Sequence, residues 1–592
     1  GPYSRSRRPR DDTFAAKMPA GRGRAWPLLR PLLLCFLAVE AHLLIAQPPV
    51  GHSYALSTSA VVPAVRSRQN QARLFTAQRA AAARRCPLRT SAVVALAAPS
   101  PQNPRHLTSL LTRAADAKAV LQLHAKHGES FNEINLATCW SALARVSSAA
   151  QQLQWQDDAS DLAALRLQTA SQPSWLDARS ISSTVHSLAK LGLYGAEWDG
   201  LWSQLCTVAA GRTPAFGPQG LVMTAWAFAR RGQPASALFD AIAAEATPRL
   251  GEYKPQELAN TAWAFASSGH AAPALFDGIS ASARAQLPSF KPRELSSMAW
   301  SFARAGHEAP ALFDAISAAS SARLSTYSAQ SLANLAWAFA KLGHPSASLF
   351  QAVALASVPR LAEFKPQELA NLVWAYAKAE YEESLFFSHL DYMCRVRLAE
   401  FKPQELAGLA WAFSKRQVPC HKLYAALAVS ASRRAGALKP QEIANTAWAY
   451  AHASHSAPVL FAHLADAAVP LLGQFEPQGL AVTAWAFAKA NQSAPLLFDA
   501  IADEAAGRLA EFDAQALANL AWAFATAGHA APGLFRAIAT EAAPRIARGE
   551  FKPQELASTA WAYDRAASSS QPLFDAIGVA VGILQLNKIE RL

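Results

Sequence analysis

Amide and cationic side chains recur at fixed distances from a series of ten tryptophans. Glutamine stands seven residues before nine of them, asparagine or serine stands three residues before seven, and lysine or arginine stands four residues after seven. Amide groups offer the donors and acceptors that match the edges of nucleobases, and cations attract phosphates. This combination is the chemistry of a surface that binds single-stranded RNA.

We number each repeat from its tryptophan as position 0 and expect the side chains at −7, −3 and +4 to form an RNA-binding groove. Structural explanations stay open for the same positions. Glutamine at −7 would satisfy free N–H groups of a first helical turn, asparagine at −3 would bridge neighbouring repeats, and the cation at +4 would favour the helix dipole. The candidate RNA-binding residues are Gln256, Asn260, Arg304, Gln330, Asn334, Lys341, Gln367, Asn371, Lys378, Gln404, Lys415, Gln441, Asn445, Gln478, Lys489, Gln515, Asn519, Gln554 and Arg565.

The spacing of the tryptophans predicts the architecture that must position these residues. The first eight intervals are 37 residues and the last is 39, and a fixed period in this range is typical of a solenoid of stacked supersecondary units. We predict an all-α, right-handed solenoid of about ten to twelve two-helix repeats, including degenerate copies centred on Trp140 and His186. The ten tryptophans are Trp226, Trp263, Trp300, Trp337, Trp374, Trp411, Trp448, Trp485, Trp522 and Trp561.

Proline and glycine mark the two helices of each repeat. Proline recurs at −8, where it suits a first helical turn, and glycine at +6 suits a helix C-terminus. On a helical wheel, positions −5, −4, −2, −1, +2 and +3 share a buried face, whereas −7, −6, −3, +1 and +4 share the opposite arc. The alanine at +1 would then leave room for a base. We expect the tryptophan to pack between adjacent first helices in preference to stacking on a base.

The charge of the chain is concentrated at its N-terminus. The net charge is +13, but residues 1–100 contain fifteen lysines or arginines and three acids, so the remaining chain is close to neutral. Its signal-like apolar stretch and acid-free, arginine-rich continuation are typical of organellar import leaders. We predict a plastid leader, with the mitochondrial matrix as the alternative, and residues 1–17 as a candidate upstream extension. The predicted organisation is a leader at 1–100, degenerate helical repeats at 101–215 and a regular array at 216–592.

The sequence contains no pattern of residues that is typical of a catalytic site or of a cofactor-binding site. Four histidines follow the +6 glycine, but successive copies would lie a repeat apart, too far to share one metal ion. The chain has no Gly-rich phosphate loop, nucleophile elbow or HExxH motif, and no apolar run long enough for a confident membrane span. We therefore expect no enzyme activity, no metal, no cofactor and no stable membrane span in the mature protein.

The repeat unit resembles a known class of organellar protein. Residues 364–378, FKPQELANLVWAYAK, resemble octotricopeptide repeats and the helical region of FAST-kinase-like leucine-rich proteins. They are also similar to the array of the subunit-six protein of the RNA-editing substrate-binding complex. The resemblance covers about residues 216–575, although the period is one residue shorter than the octotricopeptide unit and that family's PPPEW-like stretch has no counterpart here.

The resemblance implies binding of single-stranded organellar RNA in the processing, stability or translation of transcripts, with ribonucleoprotein or nuclease partners. The alternative is a protein scaffold that binds an extended peptide in the same groove without contacting RNA.

Overall fold

A computed structural model describes residues 103–157, 160–171, 174, 176–381, 384–416 and 420–589, and every regular element in these residues is helical. The predicted leader at 1–100 lies outside them. They divide into two compact units, of which one comprises the described residues up to His389 and the other those from Leu390 onward. In the described ranges, no helix combines the length and the apolar character needed to cross a membrane.

The α-helices are, in chain order, α1 (Pro104–Arg113), α2 (Ala117–His127), α3 (Glu133–Val146), α4 (Ala149–Asp157), α5 (Ala163–Ser171), α6 (Ala178–Leu191), α7 (Ala196–Ala210), α8 (Pro218–Arg231), α9 (Ser236–Ala246), α10 (Pro255–Ser268), α11 (Pro273–Gln286), α12 (Pro292–Ala305), α13 (Pro310–Ser321), α14 (Ala329–Leu342), α15 (Ala347–Ser357), α16 (Pro366–Lys378), α17 (Ser384–Val396), α18 (Pro403–Lys415), α19 (His421–Ser432), α20 (Pro440–His452), α21 (Pro458–Ala468), α22 (Pro477–Lys489), α23 (Pro495–Ala506), α24 (Ala514–Ala527), α25 (Pro532–Ala547), α26 (Pro553–Arg565) and α27 (Gln571–Ile589).

Each repeat begins with an A helix that carries the tryptophan and continues with a B helix, as α10 and α11 illustrate. Pro255 is the first residue of α10, and the backbone N–H of Lys254 donates to Glu257 Oε2 at 2.9 Å, which closes a capping interaction. Gly269 ends the helix in the left-handed region, with φ of 70°. The predicted helix boundaries at proline −8 and glycine +6 are therefore confirmed in this repeat.

The A helices stack on one another in sequence order. In the first unit the order is α3, α6, α8, α10, α12, α14 and α16, and in the second it is α18, α20, α22, α24 and α26. The predicted degenerate copies join this stack, because Trp140 lies on α3 and His186 lies on α6. The all-α solenoid is confirmed, and its right-handed winding stays a prediction.

In several repeats, an arginine after the B helix ties the end of the repeat to the residue that precedes its own A helix. Arg249 Nη1 donates to the carbonyl of Phe216 at 3.0 Å and lies 2.8 Å from Glu245 Oε1. Arg508 repeats this arrangement, donating to the carbonyl of Phe475 at 3.2 Å while pairing with Glu511 at 3.0 Å. The charge of these arginines is thus matched by glutamates of the same repeat, and their role is structural.

The histidines at +7 tie consecutive repeats to each other. His270 Nε2 lies 2.9 Å from Asp240 Oδ1 of the preceding repeat, and its ring stacks on Phe239 with centroids 5.5 Å apart. His307 with Asp277 and His529 with Asp499 repeat the pairing at 2.9 and 2.8 Å. These histidines lie in the connection after the A helix, as the sequence predicts. Among the described residues, no group of three histidines, cysteines or carboxylates could hold a metal ion.

Candidate nucleic-acid interface

Four positions of the A helices share one accessible face, which we name the ladder surface. It consists of the side chains at −7, −3, 0 and +4, and this spacing of three or four residues places them along one side of a helix. The glutamines at −7 are exposed or half-buried in every repeat that has one, and most residues at −3 and +4 are half-buried or exposed. Asn445 is the exception among the predicted site residues, because it is only 8% exposed.

The tryptophans form the centre of this surface and contact one another from repeat to repeat. In the first unit, ring centroids lie 6.4 Å apart for Trp226 and Trp263, and 6.3 Å apart for Trp300 and Trp337. In the second unit, Trp522 lies 6.2 Å from Trp485 and 6.1 Å from the final tryptophan of the array. The expected packing of tryptophan between adjacent A helices is therefore confirmed for these pairs.

Three of the +4 cations in the first unit form a row whose charge is not matched by acids among the described residues. Arg304, Lys341 and Lys378 follow one another on α12, α14 and α16, and none of them has an ion pair or hydrogen bond to another described residue. Burial lowers the pKa of Lys341, and the neighbouring charges of Lys378 and Arg304 lower it further. The row is therefore a line of like charges, and a bound anion would relieve their repulsion.

Two +4 arginines and one histidine lie over the tryptophan of their own helix. The guanidinium of Arg230 is 5.3 Å from the Trp226 ring centroid, which is cation–π geometry, and Arg565 lies similarly over its tryptophan at 5.6 Å. His452 stacks on Trp448 with centroids 4.5 Å apart. The +4 row and the tryptophan row thus belong to one surface, which places cations beside aromatic faces.

The glutamines at −7 do not cap the helices. No glutamine at this position donates or accepts a hydrogen bond within the described residues, whereas the glutamate at −6 accepts from the backbone N–H before the helix. Burial raises the pKa of three of these glutamates, Glu405, Glu442 and Glu555. The predicted placement of −6 on the open arc is therefore wrong for Glu368, Glu405 and Glu442, which are buried against their own helix starts.

The asparagines at −3 do not bridge repeats in most copies. Asn260, Asn334, Asn371 and Asn519 have no hydrogen bond to another described residue, so their amides are available to a ligand. Asn445 is buried and has an interaction within the protein. The amide row is thus open in four of the five asparagine repeats.

The alanine at +1 does not line the groove, which corrects the helical-wheel prediction. Each alanine at this position is fully buried, because the A helices pack closely on both sides and a small residue permits that approach. The open stripe is consequently narrower than the helical wheel predicts. The buried alanines are Ala227, Ala264, Ala338, Ala375, Ala412, Ala449, Ala486, Ala523 and Ala562.

The predicted site residues divide between the two units. The candidates from Gln256 to Lys378 lie along the ladder surface of the first unit, and those from Gln404 to Arg565 lie along that of the second. The first surface also extends onto α6, which was not among the predicted site residues: the His186 ring lies 5.0 Å from that of Trp226, and Lys190 is exposed. The four-residue spacing of His186 and Lys190 is the signal that could have identified it.

Comparison with known proteins identifies a family for most of the chain. A family model described as the RNA-editing substrate-binding complex 6 protein matches residues 162–348 and 344–586. A comparison with curated proteins gives no significant match.

One solved structure that matches is titled a homology model of the full-length AP-3 complex in an intermediate open conformation. It covers 82% of this chain and 93% of that chain at 10% sequence identity, with a TM-score of 0.27. That score is too low for an inference about either fold or function.

Proposed function

The chain belongs to the RNA-editing substrate-binding complex 6 protein family, and from this membership we propose that its ladder surfaces bind single-stranded RNA. The observation that carries the proposal is the row of Arg304, Lys341 and Lys378, which lack acidic partners among the described residues. Phosphate contacts by such cations supply most of the affinity of proteins for single strands.

The contrast between two classes of cation supports this assignment. The arginines after the B helices, such as Arg249 and Arg508, are paired with glutamates and donate to carbonyl groups, so their charge serves the fold. Among the +4 cations of the first unit, Arg230 lies instead over a tryptophan ring, and Arg304, Lys341 and Lys378 have no ion pair with a described residue. Their positive charges repel one another in the folded protein. Such an arrangement is expected of residues that bind a polyanion.

We propose that the protein acts as a binder that protects RNA or recruits other factors to it, without catalysing a reaction itself. The supporting observations are the repeat architecture and a surface that is made of amides, cations and aromatic rings. Its partners would be single-stranded organellar RNA together with ribonucleoprotein or nuclease components that process, stabilise or translate transcripts. The acid-free stretch in the predicted leader supports import into an organelle, plastid first and mitochondrion second. Imaging of a fluorescent protein fused to residues 1–100 tests the destination.

The binding proposal is tested by removing the unpaired cations. The triple variant R304A/K341A/K378A, in the full chain, should bind single-stranded RNA more weakly than wild type and with a shallower salt dependence. Each phosphate contact that is lost should reduce the slope of log affinity against log salt by about 0.7. Filter binding at two or more salt concentrations measures both quantities.

A matched control removes the same charge elsewhere. Arg284, Lys422 and Arg433 are exposed, lie on or just after B helices, and make no ion pair with a described residue. The variant R284A/K422A/R433A should retain wild-type affinity, and the basic leader is the same in all proteins. Equal losses in both triple variants would show that only net charge matters, which would contradict a specific role of the ladder surface.

A protein-binding scaffold is the second candidate function. Apolar residues on the open face of B helices favour it, because Tyr392 and Val396 on α17 and Val429 on α19 are 57%, 58% and 53% exposed. Wild-type protein that fails to retain RNA at low salt would exclude the first candidate and favour this one.

A further inference from the structure

One position of the ladder surface varies along the chain while two others stay almost constant. Position 0 is tryptophan in all ten repeats and −7 is glutamine in nine, whereas −3 changes from repeat to repeat. The residues at −3 are, from α8 to α26, Met223, Asn260, Ser297, Asn334, Asn371, Gly408, Asn445, Val482, Asn519 and Ser558. A side chain that is the same in every repeat cannot distinguish one base from another. Position −3 therefore has the variation that selection of an RNA sequence requires.

The fold does not require a polar side chain at −3. Met223 and Val482 occupy this position on α8 and α22, and Gly408 occupies it on α18 without a side chain. These three helices pack against the neighbouring A helices like the others of their units. The amides and hydroxyls at −3 in other repeats are therefore not needed to hold the A helices together, which leaves contact with a ligand or with water as their role.

Four consecutive repeats of the first unit have a hydrogen-bonding residue at −3. Asn260, Ser297, Asn334 and Asn371, on α10, α12, α14 and α16, are all half-buried. None of these side chains has a hydrogen bond to another described residue. An amide offers a donor and an acceptor side by side, so these groups are suited to pair with the edge of a base in a single strand.

The second unit begins with three A helices that offer no free amide at this position. Gly408 has no side chain, and Asn445 is 8% exposed and has an interaction within the protein. Val482 is apolar and is also 8% exposed. Half-buried polar residues return at Asn519 and Ser558, on α24 and α26. The longest continuous run of free polar groups at −3 therefore lies in the first unit.

The unpaired +4 cations lie on the same helices as three members of this run. On α14, Asn334 and Lys341 are seven residues apart, which corresponds to about 10 Å along a helix that rises 1.5 Å per residue. Helices α12 and α16 repeat this spacing. A nucleotide spans a comparable distance from its phosphate to the far edge of its base. The two rows are thus spaced to contact the two ends of the same nucleotides.

We propose that the −3 side chains of the first unit select the RNA sequence, through hydrogen bonds to base edges from α10, α12, α14 and α16. The inference rests on the proposed RNA-binding function and specifies which residues of that surface recognise bases. Asparagine pairs readily with adenine, through one donated and one accepted hydrogen bond, whereas serine pairs with several bases. We therefore expect adenine opposite the three asparagines, while the +4 cations supply affinity that does not depend on sequence.

Selection from a random pool of single-stranded RNA, with the full-length protein, tests the proposal. The variant N260M/N334M/N371M removes the three amides and introduces methionine, which the fold already accepts at −3 in Met223. The RNA that each protein retains is sequenced. The affinity of each protein for the unselected pool is measured at several salt concentrations, and circular dichroism reports whether the helices are intact.

Wild type should retain RNA that is enriched in an adenine-containing motif. The methionine variant should lose this preference, by about tenfold for each asparagine, but should keep its affinity for the unselected pool and its salt dependence. The comparison variant R304A/K341A/K378A should behave in the opposite way. It should bind every sequence more weakly and with a shallower salt dependence, and it should still prefer the same motif.

A reciprocal variant adds an amide where the chain has none. A Cβ atom at Gly408 would meet no atom of another helix within 4 Å, so G408N adds an amide to α18 where there is space for it. G408N should add a preferred base to the motif. G408A, which adds only a methyl group, is the matched control and should retain the wild-type motif. The pair keeps the inference testable if the methionine variant does not fold.

The outcomes separate this inference from the proposed function. A motif that survives in folded N260M/N334M/N371M would overturn the inference, as would salt-sensitive binding of RNA by wild type without any motif, although RNA binding itself would stand. Identical motifs for G408N and G408A would also contradict it. A motif that is lost with the amides but has another base in place of adenine would overturn the preference for adenine. If wild type retains no RNA at low salt, the proposed function fails.

Discussion

The imidazole of His452 lies flat on the indole of Trp448, with ring centroids 4.5 Å apart and planes 20° apart. Its Nδ1 is 2.9 Å from the hydroxyl of Ser414 on the preceding A helix. His452 occupies a +4 position, between Lys415 and Lys489 in the sequence order of repeats. It therefore interrupts a cationic row with a group whose charge depends on pH.

The first prediction concerns this histidine. Burial lowers the pKa of His452, and the charges of Lys415 and Lys489 lower it further, so the ring is neutral at pH 7. A histidine whose pKa in the folded state is below its unfolded value of about 6.5 stabilises the fold above pH 6.5. This stabilisation is lost as the pH falls through the folded-state pKa. The melting temperature of wild type should therefore fall on acidification more than that of H452Q.

The comparison with H452Q is needed because burial also lowers the pKa of His186, His344 and His455. The difference between the two melting curves over a pH series isolates the contribution of His452. Parallel loss of stability in both proteins would contradict the prediction.

The second prediction is that Lys341 strengthens RNA binding but lowers the stability of the folded protein. Burial and the neighbouring Lys378 and Arg304 lower its pKa, so its charge disfavours the folded state. K341Q should therefore raise the melting temperature and at the same time weaken RNA binding. Calorimetry and filter binding on the same preparation check both effects. A variant that loses stability would show that the lysine stem contributes more by packing than its charge costs.

The third prediction concerns helix ends that lack glycine. Ser454 and Ala567 occupy position +6 and adopt φ of 51° and 48°, the left-handed conformation that glycine has in other repeats. S454G and A567G should stabilise the protein by about 0.5–1 kcal/mol, because side chains in this region are strained. Denaturant unfolding measures the gain, and G343A, which places a side chain at φ of 65°, should cost about 1 kcal/mol.

The fourth prediction separates structural arginines from RNA-binding ones. Arg508 donates to the carbonyl of Phe475 and pairs with Glu504 and Glu511. R508A should lower the free energy of unfolding by about 1–2 kcal/mol, since a hydrogen bond to a charged group is lost and a carbonyl loses its partner. RNA affinity should be unchanged at a temperature where the variant is folded. A loss of affinity in folded R508A would place this arginine in the binding surface.

Local sequence signals determined the helices and most of the candidate surface. Proline at −8, glycine at +6 and the 37-residue period act within one helix or one repeat, so helix boundaries such as Pro255 and Gly269 could be predicted from the chain alone. The accessible amides and cations could also be predicted, because positions −7, −3 and +4 lie on one face of a helix regardless of which helices pack around it.

Tertiary packing decided which residues of that face remain open and what they contact. Ala264 at +1 is buried, because adjacent A helices approach more closely than a single helical wheel can show. The tie between His270 and Asp240 and the contact between the rings of Trp226 and Trp263 join residues that are 30 and 37 positions apart. Such contacts depend on how one repeat is placed on the next, which a pattern that repeats identically along the sequence does not encode.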